Sequence, residues 1–422
     1  MEEYEKPADK ATLVGVTLKG EDRGRSQRLL DELERLAASL GFTAAEKILV
    51  SVDELKPRYL LGSGKAEEIA ARAAEAEAEY IIFDNELSPS QQRNWETMTG
   101  LCVIDRHEVI LEIFAARAQT REAALQVGLA RMEYSLPRLT RAWTHLSRQR
   151  GGMRGTRDKG ETQLETDRRV VLKKIAGMKK ELEQVKVHRT VMRSRRDSRA
   201  VPTAALVGYT NAGKSSLMKA LTGSDVLIED KLFATLDPAT RQMALPGGAV
   251  LLLHDTVGFI RNLPHDLVEA FSSTLEEVVL SDFLILVLDA SDPEVSEHRT
   301  TCREVLAGLG VGDKPVVTVL NKTDRMEDPR ITAFLNAEGD HAVSLSARTG
   351  EGLSELTALL ETTVFDGVPV REFHIPHSRL DLASLARRTG RVITENYEDS
   401  ILRMTAQVPA ACFAHLKEFV RS

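Results

Sequence analysis

The sequence predicts an α/β protein of several domains with mostly parallel sheets. Three observations carry this. Short apolar runs alternate with amphipathic stretches along 11–105, and again along 203–364. A charge-rich, helix-patterned stretch separates the two alternating regions. The 422 residues correspond to about three domains, and 42% hydrophobic with 28% charged residues suits a chain that buries several cores.

The elements follow in order. Candidate strands of the first region are TLVGVTL (12–18), KILVSV (47–52), EYIIFD (79–84) and LCVID (101–105). Helical patterns lie between them, such as SQRLLDELERLAASLG (26–41), with Gly41 as a stop signal. Residues 1–106 are therefore expected to form a small parallel α/β domain. Charged helices around 107–149 and 163–198 come next. In the second, Leu164, Val171, Leu172, Ile175, Met178, Leu182, Val185 and Val187 recur at roughly helical spacing. Residues 107–200 are thus expected to make an antiparallel helical hairpin with a Gly/Arg-rich loop at 150–162. Pro202 marks a boundary, and 201–366 carries the second βα rhythm. The tail, 367–422, reads strand–helix–strand–strand–helix through EFHIP, SRLDLASLARR, GRVITENYE, SILRMTAQV and AACFAHLKEFV. It is expected to be a small α+β domain.

Several classes are disfavoured. Cys102, Cys302 and Cys412 are far apart, lack metal-ligand spacing and suit a reducing cytosol. Residues 1–20 lack the basic start and apolar core of a signal peptide, and no apolar run approaches the roughly 20 residues that span a membrane. A cytoplasmic protein without integral membrane contact is expected. The net charge of −7 hides an asymmetry: residues 138–200 hold 19 Lys+Arg against 7 Asp+Glu, a local +12, which leaves −19 for the rest. That distribution sets one element against a polyanion.

GYTNAGKS (208–215) fits G-x-x-x-x-G-K-[ST] between a strand-like TAALV and a helical SLMKALTG, the context this motif needs. Gly208, Tyr209, Thr210, Asn211, Ala212 and Gly213 would wrap backbone amides around phosphates. Lys214 would reach the outer phosphates, and the Ser215 hydroxyl would ligate magnesium. The second region is therefore expected to be a P-loop GTPase domain, a mostly parallel sheet with helices on both faces. Guanine is chosen by Asn321, Lys322, Thr323 and Asp324 at another strand end. The Asp324 carboxylate would accept from guanine N1–H and its amine, and adenine would leave the acid unpaired. Asn321 would brace the loop, and the Lys322 stem would cover the base. SLSARTGEGL then offers Ser346, Ala347 and Arg348, with backbone amides near the guanine O6.

Between these lie the expected phosphate sensors. LFATLDPATR supplies Phe233, Ala234, Thr235, Leu236 and Asp237, with Thr235 favoured over Thr240 as a second magnesium ligand. HDTVGFI supplies Asp255, Thr256, Val257 and Gly258. Asp255 would hold magnesium through water, and the Gly258 amide would touch the γ-phosphate. Lys214, Thr235 and Gly258 are the expected catalytic set. Phe259 stands where many such enzymes place a water-orienting glutamine, so slow intrinsic hydrolysis is expected. Asn211 is a candidate potassium ligand, set against a plain loop-stabilising role. LGSGKAEE (61–68) is a decoy: Tyr59 stands where the motif needs glycine, and Ala66 cannot ligate magnesium. A turn and helix start is the better reading there.

RQRGGMRGTRDKGETQLETDRR (148–169) crowds Arg148, Arg150, Arg154, Arg157 and Lys159 among four glycines. Such a segment either is a solvated connector or contacts RNA phosphates and bases. Its Gly-Glu-Thr-Gln-Leu-Glu-Thr-Asp-Arg-Arg run, with GYTNAGKS, FATLDPATR, DTVGFIRNLPHDLVEAF and NKTD, resembles the HflX family of ribosome-associated GTPases over nearly the whole chain. A monomeric GTP- and GDP-binding protein is expected, and the resemblance implies its ribosomal partner. It would bind the large ribosomal subunit, reach ribosomal RNA with this loop and split stalled ribosomes. Asp158-Lys159 departs from the family's usual Gly-Pro, which loosens the loop tip and adds an acid. Two other readings stand beside it: a GTPase of RNA modification or ribosome assembly, and a GTP-gated RNA-binding scaffold with negligible hydrolysis. Hydrolysis measured with and without ribosomal subunits separates the three.

Overall fold

Four parallel strands open the chain: β1 (Lys10–Leu18), β2 (Thr43–Val52), β3 (Tyr80–Phe83) and β4 (Cys102–Asp105), in the order β2-β1-β3-β4. The seven central residues of β1 are buried, as a parallel strand with covered faces requires. α1 (Arg23–Ser39) starts where Asp22 accepts from the Gly24 amide. α2 (Ser63–Glu75) follows β2. α3 (Pro89–Thr99) starts at a Ser88–Gln91 capping box and buries Trp95 against Phe83, ring centroids 5.0 Å apart.

This computed structural model describes residues 9–138, 160–194, 201–223, 233, 239–261, 272–326 and 342–421, with backbone only for 160–167, 186–194, 272–274 and 411. The chain divides into two compact units, Met1–Gln184 with Pro264–Ala270, and Val185–Leu263 with Phe271–Ser422.

The helices after β4 differ from expectation. α4 (Arg106–Arg117) ends before Thr120, whose hydroxyl accepts from the Ala123 amide and starts α5 (Arg121–Ser135). His107 meets Tyr134 at 4.3 Å between ring centroids, and Glu112 pairs with Arg131 at 2.6 Å. Those pairings make α4 and α5 an antiparallel helical pair. α6 (Gly160–Ser194) starts inside the expected 150–162 loop, so residues 160–162 are helical. It meets α5 at Met178, Lys179 and Glu181, and the residues it meets there run from Arg121 to Glu133. The order of these contacts, Glu133 with Lys179 and Arg121 with Glu181, is antiparallel. Thr120 thus opens a second helix inside the first expected long one, and residues 139–159, which hold most of the expected loop, lie outside the described residues.

The first sheet of the second unit has six strands: β5 (Thr203–Gly208), β6 (Ala239–Ala244), β7 (Val250–Asp255), β8 (Phe283–Asp289), β9 (Val316–Asn321) and β10 (Ala342–Ser344). Their order is β10-β9-β8-β5-β7-β6, parallel except for the β6–β7 hairpin. α7 (Lys214–Thr222), α8 (Ser272–Leu280), α9 (Val295–Gly308) and α10 (Leu353–Val364) accompany this sheet. Leu206, Leu217, Leu253, Ile285 and Val319 share one core.

β11 (Val370–Pro376), α11 (Leu380–Thr389), β12 (Arg391–Tyr397), β13 (Ile401–Gln407), α12 (Ala410–Leu416) and β14 (Val420–Arg421) follow, with an antiparallel order β12-β13-β11-β14. The expected last helix, AACFAHLKEFV, stops early. Val420 instead pairs with Phe373 and extends the sheet, which a two-residue apolar signal could not announce.

Candidate nucleotide site

The C-terminal ends of β5, β7, β8 and β9 bring the expected residues of the second unit to one edge of its sheet, where parallel α/β sheets place ligands. β5 ends at Gly208, beside the neighbouring strand: a Cβ there would lie 2.2 Å from the Val287 carbonyl oxygen. Gly213 has φ +93, and a Cβ there would lie 2.3 Å from the Asn321 side chain. Only glycine fits both places. α7 begins at Lys214, so its N-terminal amides open on the loop.

Lys214 is 7% exposed and donates to the carbonyls of Gly208 (3.1 Å) and Tyr209 (2.9 Å). Burial pushes its pKa down, while Asp255 pulls it up. An ammonium held this way is aimed by the loop before any ligand arrives. The Ser215 hydroxyl donates to Asp255 at 2.9 Å, which puts a hydroxyl and a fully buried carboxylate side by side.

The loop at 321–324, expected to read the base, is tied to the 208–215 loop. Asn321 donates to the Ala212 carbonyl at 2.9 Å and accepts from the Ala347 amide at 3.0 Å. Lys322, at φ +65, donates to the Asn211 carbonyl at 2.7 Å and pairs with Asp289 at 2.8 Å. Asp324 is exposed and accepts from the buried Ser346 hydroxyl at 2.7 Å, which holds its carboxyl below the usual range. Arg348 is exposed and adds a smaller charge effect on Asp324. Asn211 itself is exposed, at φ +59.

The Asp-x-x-Gly segment lies against the phosphate loop. Phe259 donates to the Gly208 carbonyl at 3.0 Å and accepts from the Thr210 amide at 2.8 Å. The Phe259 side chain is 1% exposed. The Thr256 hydroxyl is used on the Leu206 carbonyl at 2.6 Å, and Val257 is buried. Phe233 is buried at φ +56. Thr240 lies on β6, where its hydroxyl meets the His254 ring at 2.9 Å, so it is a strand residue. Ala234, Thr235, Leu236 and Asp237 lie outside the described residues, as do Arg148, Arg150, Arg154, Arg157 and Lys159.

Three family models match in succession. They are described as GTP-binding GTPase N-terminal over 27–115, GTP-binding GTPase Middle Region over 117–196, and 50S ribosome-binding GTPase over 203–322. A GTPase HflX of Akkermansia muciniphila is 47% identical over 99% of this chain and 98% of its own. The chain belongs to the HflX GTPase family. Its HflX relative in Escherichia coli K12 is 43% identical over 82% of each chain. Among solved structures, a GTP-binding protein from Sulfolobus solfataricus in complex with GDP is 25% identical and covers 83% of this chain and 97% of that one, at a TM-score of 0.45. As an HflX-family member the chain is a GTP-binding, GTP-hydrolysing enzyme.

Sequence reasoning missed three partners. Asp289 ends the apolar run FLILVLD and pairs in register with Asn321, a signal that was available. Tyr209 stacks on His298 at 3.9 Å between ring centroids, 14° from parallel. Arg261 pairs with Glu294 (3.0 Å) and Glu297 (2.6 Å). The last two contacts cross long sequence gaps, so no local pattern marks them. Asp292, Glu294 and His298 bring ligand atoms within 4.8 Å of one another. With Glu294 on Arg261 and His298 stacked on Tyr209, that trio is part of a packed contact. Among the described residues no helix is long and apolar enough to cross a membrane.

Proposed function

We propose that this HflX-family GTPase binds the large ribosomal subunit and uses GTP to split or rescue stalled ribosomes. The observation that carries this reading is the description of the model matching 203–322, which names 50S ribosome binding. The +12 segment within 138–200 supports it as the RNA-contacting part, through Arg148, Arg150, Arg154, Arg157 and Lys159. We place the protein in the cytoplasm, where ribosomes are.

In this reading the loop amides of 208–213 and Lys214 bind the β- and γ-phosphates, and Asp324 with the Ala347 amide reads guanine. Because Asn321 joins both loops, placing the base also places the phosphates. The Ser215 hydroxyl and Asp255 carboxylate are hard oxygen donors at a helix N-terminus, which suits Mg2+; Ser215 would hold the ion, with Asp255 acting through water and Thr235 from the switch segment. The ion would neutralise charge on the phosphates. Gly258 would donate its amide to the γ-phosphate. The buried Phe259 ring cannot orient water, so basal turnover is slow and the ribosome supplies the missing arrangement by moving the segment.

The test is GTP hydrolysis alone, with small subunits and with large subunits, alongside light scattering of intact ribosomes. Large subunits should raise turnover at least about tenfold, an activation change of roughly 1.4 kcal/mol. No stimulation by the large subunit would sink the reading. Asn211 is the proposed potassium ligand. Stimulated hydrolysis should then be severalfold faster in potassium than in sodium, and equal rates would return Asn211 to a loop-bracing role.

A further inference from the structure

The residues that follow Asp-x-x-Gly are held from two sides. On one side the backbone of Phe259 bonds directly to the first arm of the phosphate loop, at Gly208 and Thr210. Gly258 is pressed so close that a Cβ would lie 2.9 Å from Thr210 Cα and 3.0 Å from Lys214 Nζ. Lys214 Nζ is the group expected to meet the outer phosphates. A tetrahedral phosphoryl group cannot enter between backbones that hydrogen-bond to each other without separating them. In this arrangement Gly258 therefore stands in the space that a γ-phosphate needs, while the loop and helix that receive a β-phosphate stay formed.

On the other side stands Arg261. Its guanidinium is buried and pairs with Glu294 and Glu297 at the start of α9. Its amide donates to the Tyr209 hydroxyl at 3.0 Å, and the Tyr209 ring stacks on His298 of α9. One residue thus fastens the segment both to α9 and to the phosphate loop. Charge-assisted pairs on a planar guanidinium fix orientation as well as distance.

We propose that Arg261 is a positioning residue of the GTPase. It holds Gly258 and Phe259 closed on the phosphate loop, so the resting enzyme favours GDP and accepts GTP only when the Arg261 contacts open. The proposal rests on the reading of 208–215 as the phosphate site. A nucleotide with a γ-phosphate binds only the open fraction, and its apparent affinity falls by that fraction; GDP binds both forms. Whatever pulls on α9 or on the segment would then raise GTP affinity.

The experiment compares fluorescent GDP and a fluorescent non-hydrolysable GTP analogue on the full-length protein and on Arg261→Ala, Arg261→Lys and Glu297→Gln. Arg261→Ala should tighten the analogue about tenfold while GDP affinity stays within about twofold, and the KM for GTP should fall with it. Arg261→Lys should lie between, because an ammonium keeps the charge but loses the two-armed geometry. Glu297 has a half-exposed side chain, so Glu297→Gln tests the same idea with little risk to folding; it should shift the ratio in the same direction, by less. An unchanged ratio in both Arg261→Ala and Glu297→Gln overturns the proposal. An equal loss of both nucleotides also overturns it, since a merely structural contact would act that way. Lys214→Ala is the separate control: if it leaves both affinities intact, the phosphate-site reading fails instead.

Discussion

Two loops in this chain carry Gly-x-Gly-Lys or Gly-Lys before a helix, and only one buries its lysine. In 208–215 the helix starts at Lys214, after a full loop whose glycines touch neighbouring strands. Lys214 is buried there and held by two carbonyls. In 61–68 the helix starts at Ser63, so Gly64 and Lys65 already belong to its first turn. Nothing lies within 4 Å of a Cβ placed on Gly62 or Gly64, and Lys65 is exposed and pairs with Glu68 at 2.7 Å. The difference teaches that the motif's chemistry lies in what surrounds the glycines. A loop becomes a phosphate cradle when neighbouring strands and a second loop hold its amides inward.

The largest effect should come from the partner that only the second loop has. Asp324→Asn should weaken GTP on the order of a thousandfold and favour xanthosine triphosphate, measured by nucleotide titration. Unchanged guanine preference would mean that another group reads the base. Next come the two lysines. Lys214→Ala should weaken GTP on the order of a hundredfold, whereas Lys65→Ala should leave GTP affinity within about twofold. Equal losses would erase the contrast.

The glycines should differ in sign. Gly208→Ala drives a Cβ into the Val287 carbonyl and should cost about 2–3 kcal/mol or more in denaturant unfolding. Gly64→Ala, in open space within a helix, should stabilise by up to about 1 kcal/mol. A destabilising Gly64→Ala would show that the first loop also has a tight partner.

The smallest effect concerns an ionisable group of the first unit, Glu108. Burial, then the charges of Asp105 and Glu112, push the Glu108 carboxyl up to about 8, against the opposing charge of Arg138 and a hydrogen bond from Gln92. A carboxyl raised by folding favours the protonated fold. Its stabilising contribution is complete below the ordinary glutamate value and is lost as pH rises through about 8. Glu108→Gln should flatten that loss and gain on the order of 1 kcal/mol at alkaline pH, read from melting curves across pH. Parallel curves for the two proteins would refute the assignment.

Much was legible in the residues. The four strands of the first sheet fall on TLVGVTL, KILVSV, EYIIFD and LCVID: β1, β3 and β4 are mostly buried and read as apolar runs, while the edge strand β2 buries alternate residues Ile48 and Val50. The nucleotide motifs sit at strand ends, where their short spacing is a local property. The helices after 106 were less legible. The hydroxyl of Thr120 begins a new helix three residues after Arg117 ends the last, a cap hidden inside a continuous charged pattern. The α6–α5 contact depends on where side chains such as Met178 meet Gly128. β14 is too short to carry a period.

By itself the sequence determined the α/β alternation, the phosphate- and guanine-reading motifs, the basic segment and the unusual Phe259. These rest on residue type and close spacing, which survive without any knowledge of contacts. Only the tertiary structure decided that the Phe259 ring is buried while its peptide closes the phosphate loop. Only the structure joined Asn321 to Ala212 and Arg261 to Glu294 and Glu297. Hydrogen bonds and ion pairs between residues tens of positions apart depend on how strands and helices pack, and packing is a property of the folded chain.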